Sequence, residues 1–216
     1  MYRTPRSTPL PVSAGSIQGG PQSTRPTRTF RADRSRPWKH GVMIESSLLE
    51  PLEQPDIAAS TAFWEAYRLA NPQAVAADAE YTVEHFGDSA RLADELLAIV
   101  LSGRKRATAE LVADFAARGD HVPRIGSHWI ACDSTGAPRI IIRSVELRVG
   151  PFTSVDAAFA ADEGEDDGSL ASWQKEHRIY WKRVSAARGA EWTENDDIIF
   201  ERFAVVWPPE HADAPH

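Results

Sequence analysis

Residues 102–111 read SGRKRATAEL, three consecutive cations between two apolar patterns in a chain whose formal net charge is −7. Upstream, Asp88 or Ser89 can cap a helix that carries Leu92, Leu96, Ile99 and Val100 on one stripe. Gly103 supplies the left-handed residue that ends it. Downstream, Leu111, Val112 and Phe115 predict a further helix over about 108–117, with Thr108 as its first cap. On that reading Arg104, Lys105 and Arg106 occupy a tight link, and Lys105 and Thr108 share one side if the link is helical. Cations beside a helix start attract anions, whereas the simpler alternative is a solvated loop.

Moving outward, Ala62, Phe63, Tyr67 and Ala70 beside Trp64 predict a helix from about residue 57 that Pro72 stops. After residue 120 the period changes. SHWIACD, the turn residues STGAP and RIIIRSVELRV read as paired strands. TSVDAAFAA predicts a short helix with Thr153 and Asp156 at capping-box spacing, followed by the acidic run DEGEDDG. A longer amphipathic helix, about Ser169 to Ala187, aligns Leu170, Trp173, His177, Tyr180, Trp181 and Val184, and DIIFERFAVVW closes the domain as a strand. Helices first, then strands interleaved with helices, predict an α+β domain built on a small antiparallel or mixed barrel.

Residues 1–45 hold Arg3, Arg6, Arg25, Arg28, Arg31, Arg34, Arg36 and Lys39 against Asp33 and Glu45, with abundant Pro, Ser and Gly. That composition predicts a disordered basic tail, and Met43, where it ends, is an alternative start. The domain itself spans 57–208, with a short tail at 209–216. The longest apolar runs fall short of a membrane span, and a lone Cys132 allows neither an intrachain disulfide nor a multi-thiolate zinc site, so a cytoplasmic protein is expected. A strongly acidic domain repels duplex DNA, yet a local basic cleft can hold a nucleotide or a short single strand.

The acidic run is the natural partner for the cations, presenting Glu163 or Glu165 toward Lys105. It also imitates the start of a calcium loop, but Glu stands first and Gln174 twelfth, which argues against a metal. His177 lies among Trp173 and Trp181, either packed in the core or forming an aromatic wall for a nucleobase. Arg143 is the odd cation within IIIRSVEL, facing solvent or reaching into a cleft. Cys132 reads as a small core residue.

Taken together, GDSARLADELLAIVLSGRKRATAEL, PRIGSHWIAC, IIIRSVELRVGPFTSVDAAFAADEGEDDGSLASWQKEH and FERFAVVW resemble the ASCH domain family over roughly residues 60–207. Its motif G-x-K-x-x-T matches Gly103, Lys105 and Thr108. The resemblance implies a PUA-like β-barrel with helices around a cleft for a nucleoside or single-stranded RNA. Some members resemble amidohydrolases of N4-acylated cytidine, which would assign catalysis to Lys105, Thr108 and Glu163, with no cofactor. Arg104, Arg106, Glu165, Arg143, Trp173 and His177 would then bind substrate. A non-catalytic RNA-binding module and a metal-assisted ribonuclease are the alternatives. Arg106 stands where relatives commonly carry threonine, and Ser127 where they carry aspartate. Oligomeric state is left open.

Overall fold

Ile140, Ile141 and Ile142 stand near the start of the longest strand, and their alternation explains how the domain acquires two cores. In the computed structural model, which describes residues 52–76 and 78–214, β3 (His128–Cys132) and β4 (Pro138–Pro151) form the antiparallel hairpin expected from the STGAP turn. β5 (Asp197–Trp207) pairs antiparallel with β4, and β2 (Ala107–Leu111) pairs antiparallel with β5. β1 (Tyr81–His85), which no sequence signal singled out, adds in parallel to β3 and completes the order β1-β3-β4-β5-β2. Register shifts at Ile141/Ile142 and Ser144/Glu146 bend β4, so the mixed sheet curls into a half-barrel. The expected basic tail and the Met43 start fall outside the described residues.

Five helices cover this sheet. On one face, α1 (Ile57–Ala70) packs Trp64 and Tyr67 against Ile130 and Ile141. Beside it, α4 (Ala157–Glu163) and α5 (Leu170–Ala187) bring Phe159, Trp173 and Trp181 onto Ala107, Leu111, Ile198 and Phe200. On the opposite face, α2 (Ala90–Leu101), capped by Ser89, sets Leu97 and Val100 against Ile140, Ile142, Phe203 and Val205. Successive strand residues point to opposite faces, which is why Ile141 joins one core and its two neighbours the other.

Two local expectations are corrected. The stretch 108–117 is not one helix: Ala107–Leu111 pairs with β5, and only Val112–Arg118 (α3) is helical. Ala107, Ala109 and Leu111 alternate onto the aromatic cluster of α4 and α5, and that burial, with the free edge of β5, outweighs helical periodicity. Thr108 is therefore a strand residue opposite Glu201, and Leu111 precedes α3 without a side-chain cap. Likewise Asp156, not Thr153, caps α4, accepting from the Phe159 amide, while Thr153 lies in a 3₁₀ turn. Asp213, in the expected tail, accepts from the Val205 amide and so closes the end of β5.

The face that α2 covers also buries acid. Glu201 is 8% exposed and accepts a hydrogen bond of 2.5 Å from Ser144 Oγ; burial pushes its pKa up to about 7, against that bond. Burial likewise raises Glu84 to about 7, with Glu110 adding to the effect. A carboxyl raised in the folded state binds more protons than the unfolded chain between its ordinary pKa and 7, so its stabilisation is complete below that window and lost as pH rises through it. Thermal unfolding should therefore show stability falling from pH 5 to pH 8, and Glu201→Gln should remove on the order of 2 kcal/mol of that fall. An unchanged slope in the variant would contradict the assignment.

Candidate functional site

The link after α2 is held to the end of α4 by its own backbone. The Lys105 amide donates to the Ile99 carbonyl at 3.1 Å, and the Arg106 amide to the Asp162 carbonyl at 2.7 Å. Gly164 ends α4 at φ +63°, and a Cβ there would stand 2.4 Å from the Arg104 carbonyl oxygen. No other residue permits both that conformation and that approach. The Arg104 guanidinium closes the join, donating to the Gly164 carbonyl at 2.8 and 3.2 Å.

This lacing drives Lys105 inward. Lys105 and Glu163 are each 1% exposed, and the ammonium lies 2.5 Å from Glu165 Oε1 and 3.9 Å from Glu163 Oε1. Burial opposes the charge, but the two carboxylates outweigh it and hold the Lys105 pKa above the ordinary lysine value. Glu165 moves the other way: burial opposes ionisation, yet Lys105 and His177 hold its carboxyl below the ordinary range. For Glu163 burial prevails over Lys105 and raises the pKa. Two neighbouring carboxyl groups thus have opposite proton affinities.

Glu163 divides its oxygens. Oε2 accepts from the Trp173 indole and lies 3.3 Å from His177 Nε2, while Oε1 has no hydrogen-bond partner. His177 Nδ1 faces the Trp173 carbonyl at 3.1 Å, an acceptor, which places a ring proton on Nδ1. The imidazole stacks on the Trp173 ring at 4.0 Å between centroids and 16° between planes. Glu165, Asp166, Ser169, Trp173 and His177 line a small pocket, with Lys105 and Glu163 behind it.

Ligand atoms of Glu163, Glu165 and His177 lie within 4.8 Å of one another, a spacing that suits a divalent ion. The Lys105 ammonium, however, already supplies the positive charge at 2.5 Å from Glu165. A twelve-residue calcium loop is not formed either, because α5 begins at Leu170 and takes Gln174 into the helix.

Of the residues expected from sequence, Lys105, Glu163, Glu165, Trp173 and His177 converge. Thr108 does not join them. Ala107, Ala109 and Leu111 face the aromatic cluster on the site's side of the sheet, so the pleat turns Thr108 toward the opposite face with Glu201. Arg106 points to the C-terminal segment, with Nη2 2.7 Å from Asp213 Oδ1, and Arg104 is engaged by Gly164. Arg143 is the cross-strand partner of His128 and Ala204, and it is not among the residues lining the pocket. Cys132 is buried, and burial raises its thiol to about 11, which suits a core residue. Sequence reasoning missed Asp162, which accepts from Arg202 Nε at 2.8 Å, and Asp213; as isolated acids they gave no pattern to read.

A family model for the ASCH domain matches residues 82–207, over half of the sequence. The chain belongs to the ASCH domain family. Among solved structures, an ASCH domain from Lactobacillus crispatus JV V101 is similar with a TM-score of 0.64 and 28% identity, covering 70% of this chain and 96% of that one. A protein from Enterococcus faecalis V583 shares the fold with a TM-score of 0.61 at 24% identity, covering 74% of this chain and 99% of that one. No curated protein matches the sequence. The family's PUA-like half-barrel is thus the architecture described above. No helix among the described residues of this ASCH protein is long and apolar enough to cross a membrane.

Removing one member of a buried ion pair strands its partner. Lys105→Ala should lower stability in urea by about 3–5 kcal/mol, and Lys105→Met combined with Glu165→Gln should recover much of it. A loss below about 0.5 kcal/mol in the single variant would show that the pair is not buried as described.

Proposed function

We propose that this ASCH protein is an amidohydrolase acting on nucleosides, with N4-acylated cytidine as the substrate class. The observation that carries the reading is the divided pair of carboxyls beside one fixed ammonium: Glu163 raised by burial, 3.3 Å from His177 Nε2, and Glu165 held below the ordinary range by Lys105. Amide hydrolysis needs those two functions at once, a base for water and an acid for the departing nitrogen. Glu165 takes the proton from the attacking water, the Lys105 ammonium stabilises the oxyanion, and Glu163 delivers a proton to N4 as the C–N bond breaks. The products are the carboxylic acid and cytidine. The outer face of the His177 ring, backed by the buried Trp173, supplies a flat wall for the base.

This scheme revises two roles expected from sequence. A lysine base needs a lowered pKa, whereas Lys105 is held up by its carboxylates, so it serves as a charge. Thr108 faces away and is given no chemical step. Arg106, paired with Asp213, is not left for a phosphate row, which favours a nucleoside over a strand of RNA. A metal-assisted ribonuclease gains no support where an ammonium neutralises the acids.

The test is turnover of N4-acetylcytidine to acetate and cytidine, followed by chromatography. Glu163→Gln keeps an acceptor for the Trp173 indole and should lower kcat by about a hundredfold or more with an unaltered unfolding midpoint. Binding should vary little with salt. Absence of turnover in the wild type, or full activity in the variant, would reject the mechanism.

A further inference from the structure

Asp213 lies in the stretch expected to be a tail, yet the sheet grips it twice. Its amide donates to the Val205 carbonyl at 2.8 Å, and its Oδ2 accepts from the Val205 amide at 2.8 Å. Those Val205 groups stand on β5 just past the point where β2 parts from it, since the Phe203 amide still donates to the Arg106 carbonyl at 3.0 Å. A strand edge left by its neighbour has backbone groups that need partners, and Asp213 supplies them.

The other carboxylate oxygen turns to the cationic link. Oδ1 accepts from Arg106 Nε at 3.1 Å and from Nη2 at 2.7 Å. The same guanidinium donates from Nη1 to the Val100 carbonyl, in the last turn of α2, and to the Lys105 carbonyl, each at 2.8 Å. The Lys105 peptide is thus held at its amide by Ile99 and at its carbonyl by Arg106. A guanidinium is a rigid planar fork, so anchoring one edge on a carboxylate fixes where the other edge points. The Asp213 and Arg106 side chains are each 25% exposed, whereas Lys105 is 1% exposed, so a pair near the surface governs a buried charge.

The place of that charge decides the chemistry of the pocket. Its ammonium is 2.5 Å from Glu165 and 3.9 Å from Glu163, an inequality that a small shift of the Lys105 peptide would change. We infer that Asp213 is a positioning residue for the reaction: through Arg106 it fixes the Lys105 peptide, and with it the unequal approach of the ammonium to the two carboxyls. Asp213 is not among the residues lining the pocket, so it acts only through this chain of bonds. Its effect on rate rests on the amidohydrolase reading above, whereas its effect on Lys105 rests on the hydrogen bonds alone.

The test is a double-mutant cycle of Asp213→Asn and Arg106→Met, with unfolding midpoints compared first. It is read by the 15N resonance and hydrogen exchange of the Lys105 ammonium, and by turnover of N4-acetylcytidine. Asp213→Asn keeps an oxygen for the Val205 amide and removes the charge that holds Arg106. It should shift the Lys105 Nζ signal, speed its exchange with water, and lower kcat about tenfold with KM within about twofold. Added to Arg106→Met, the same substitution should change neither readout further, because its effect runs through the guanidinium. Arg106→Lys, which keeps the charge and loses the fork, should reproduce the Lys105 shift at an unaltered midpoint. A Lys105 signal unmoved by Asp213→Asn or by Arg106→Lys, or full additivity in the cycle, overturns the positioning role even if the protein hydrolyses the nucleoside. A shifted signal with non-additive effects in a protein that hydrolyses nothing upholds the role and rejects the reading beneath it.

Discussion

A lysine ammonium removed from water is the constraint on which the rest of this domain depends. Charge that deep is tolerated only where opposite charge is fixed beside it, and the chain fixes two carboxyls there from one short loop. The ammonium satisfies Glu165 first, at hydrogen-bond distance, and only reaches toward Glu163. That inequality splits the acids: the nearer ionises readily, and the farther keeps its proton affinity. The chemical asymmetry of the pocket follows from the geometry of one side chain.

Secondary structure serves that geometry. α2 and α4 end in left-handed glycines, Gly103 and Gly164, whose turns bring the two loops together. Arg104 and Arg106, which a sequence reader takes for anion guides, fasten the loops and the C-terminal segment. The aromatic cluster of α5 then plays two parts. Trp181 closes the core under β2 and β5, whereas Trp173 belongs to the core on one side and bonds Glu163 on the other. Stability and site are thus built from the same helix.

Much of this was legible in the residues. The β3–β4 hairpin, the closing strand β5 and the caps of α2 and α5 all follow from turn chemistry and periodicity, because each is decided locally. The meeting of Lys105 with Glu163 or Glu165 was legible as charge complementarity between the cationic link and the acidic run, whereas the place of His177 beside them was not, since so long a separation leaves no local pattern. What failed was the conformation of 107–111. Its helical spacing is real, but an open strand edge and a waiting aromatic cluster are tertiary facts. That error moved Thr108 to the wrong face. The parallel strand β1 was missed for the same reason, being short and half-buried with no run of apolar residues.

The central claim is the protonation state of the buried pair, and nitrogen NMR of the Lys105 side chain tests it most directly. In protein labelled with 15N-lysine, the account predicts an ammonium Nζ signal, slow to exchange with water, that persists through pH 9 and is lost or altered in Glu165→Gln. A Lys105 Nζ resonance with the shift of a neutral amine near pH 7 would contradict it.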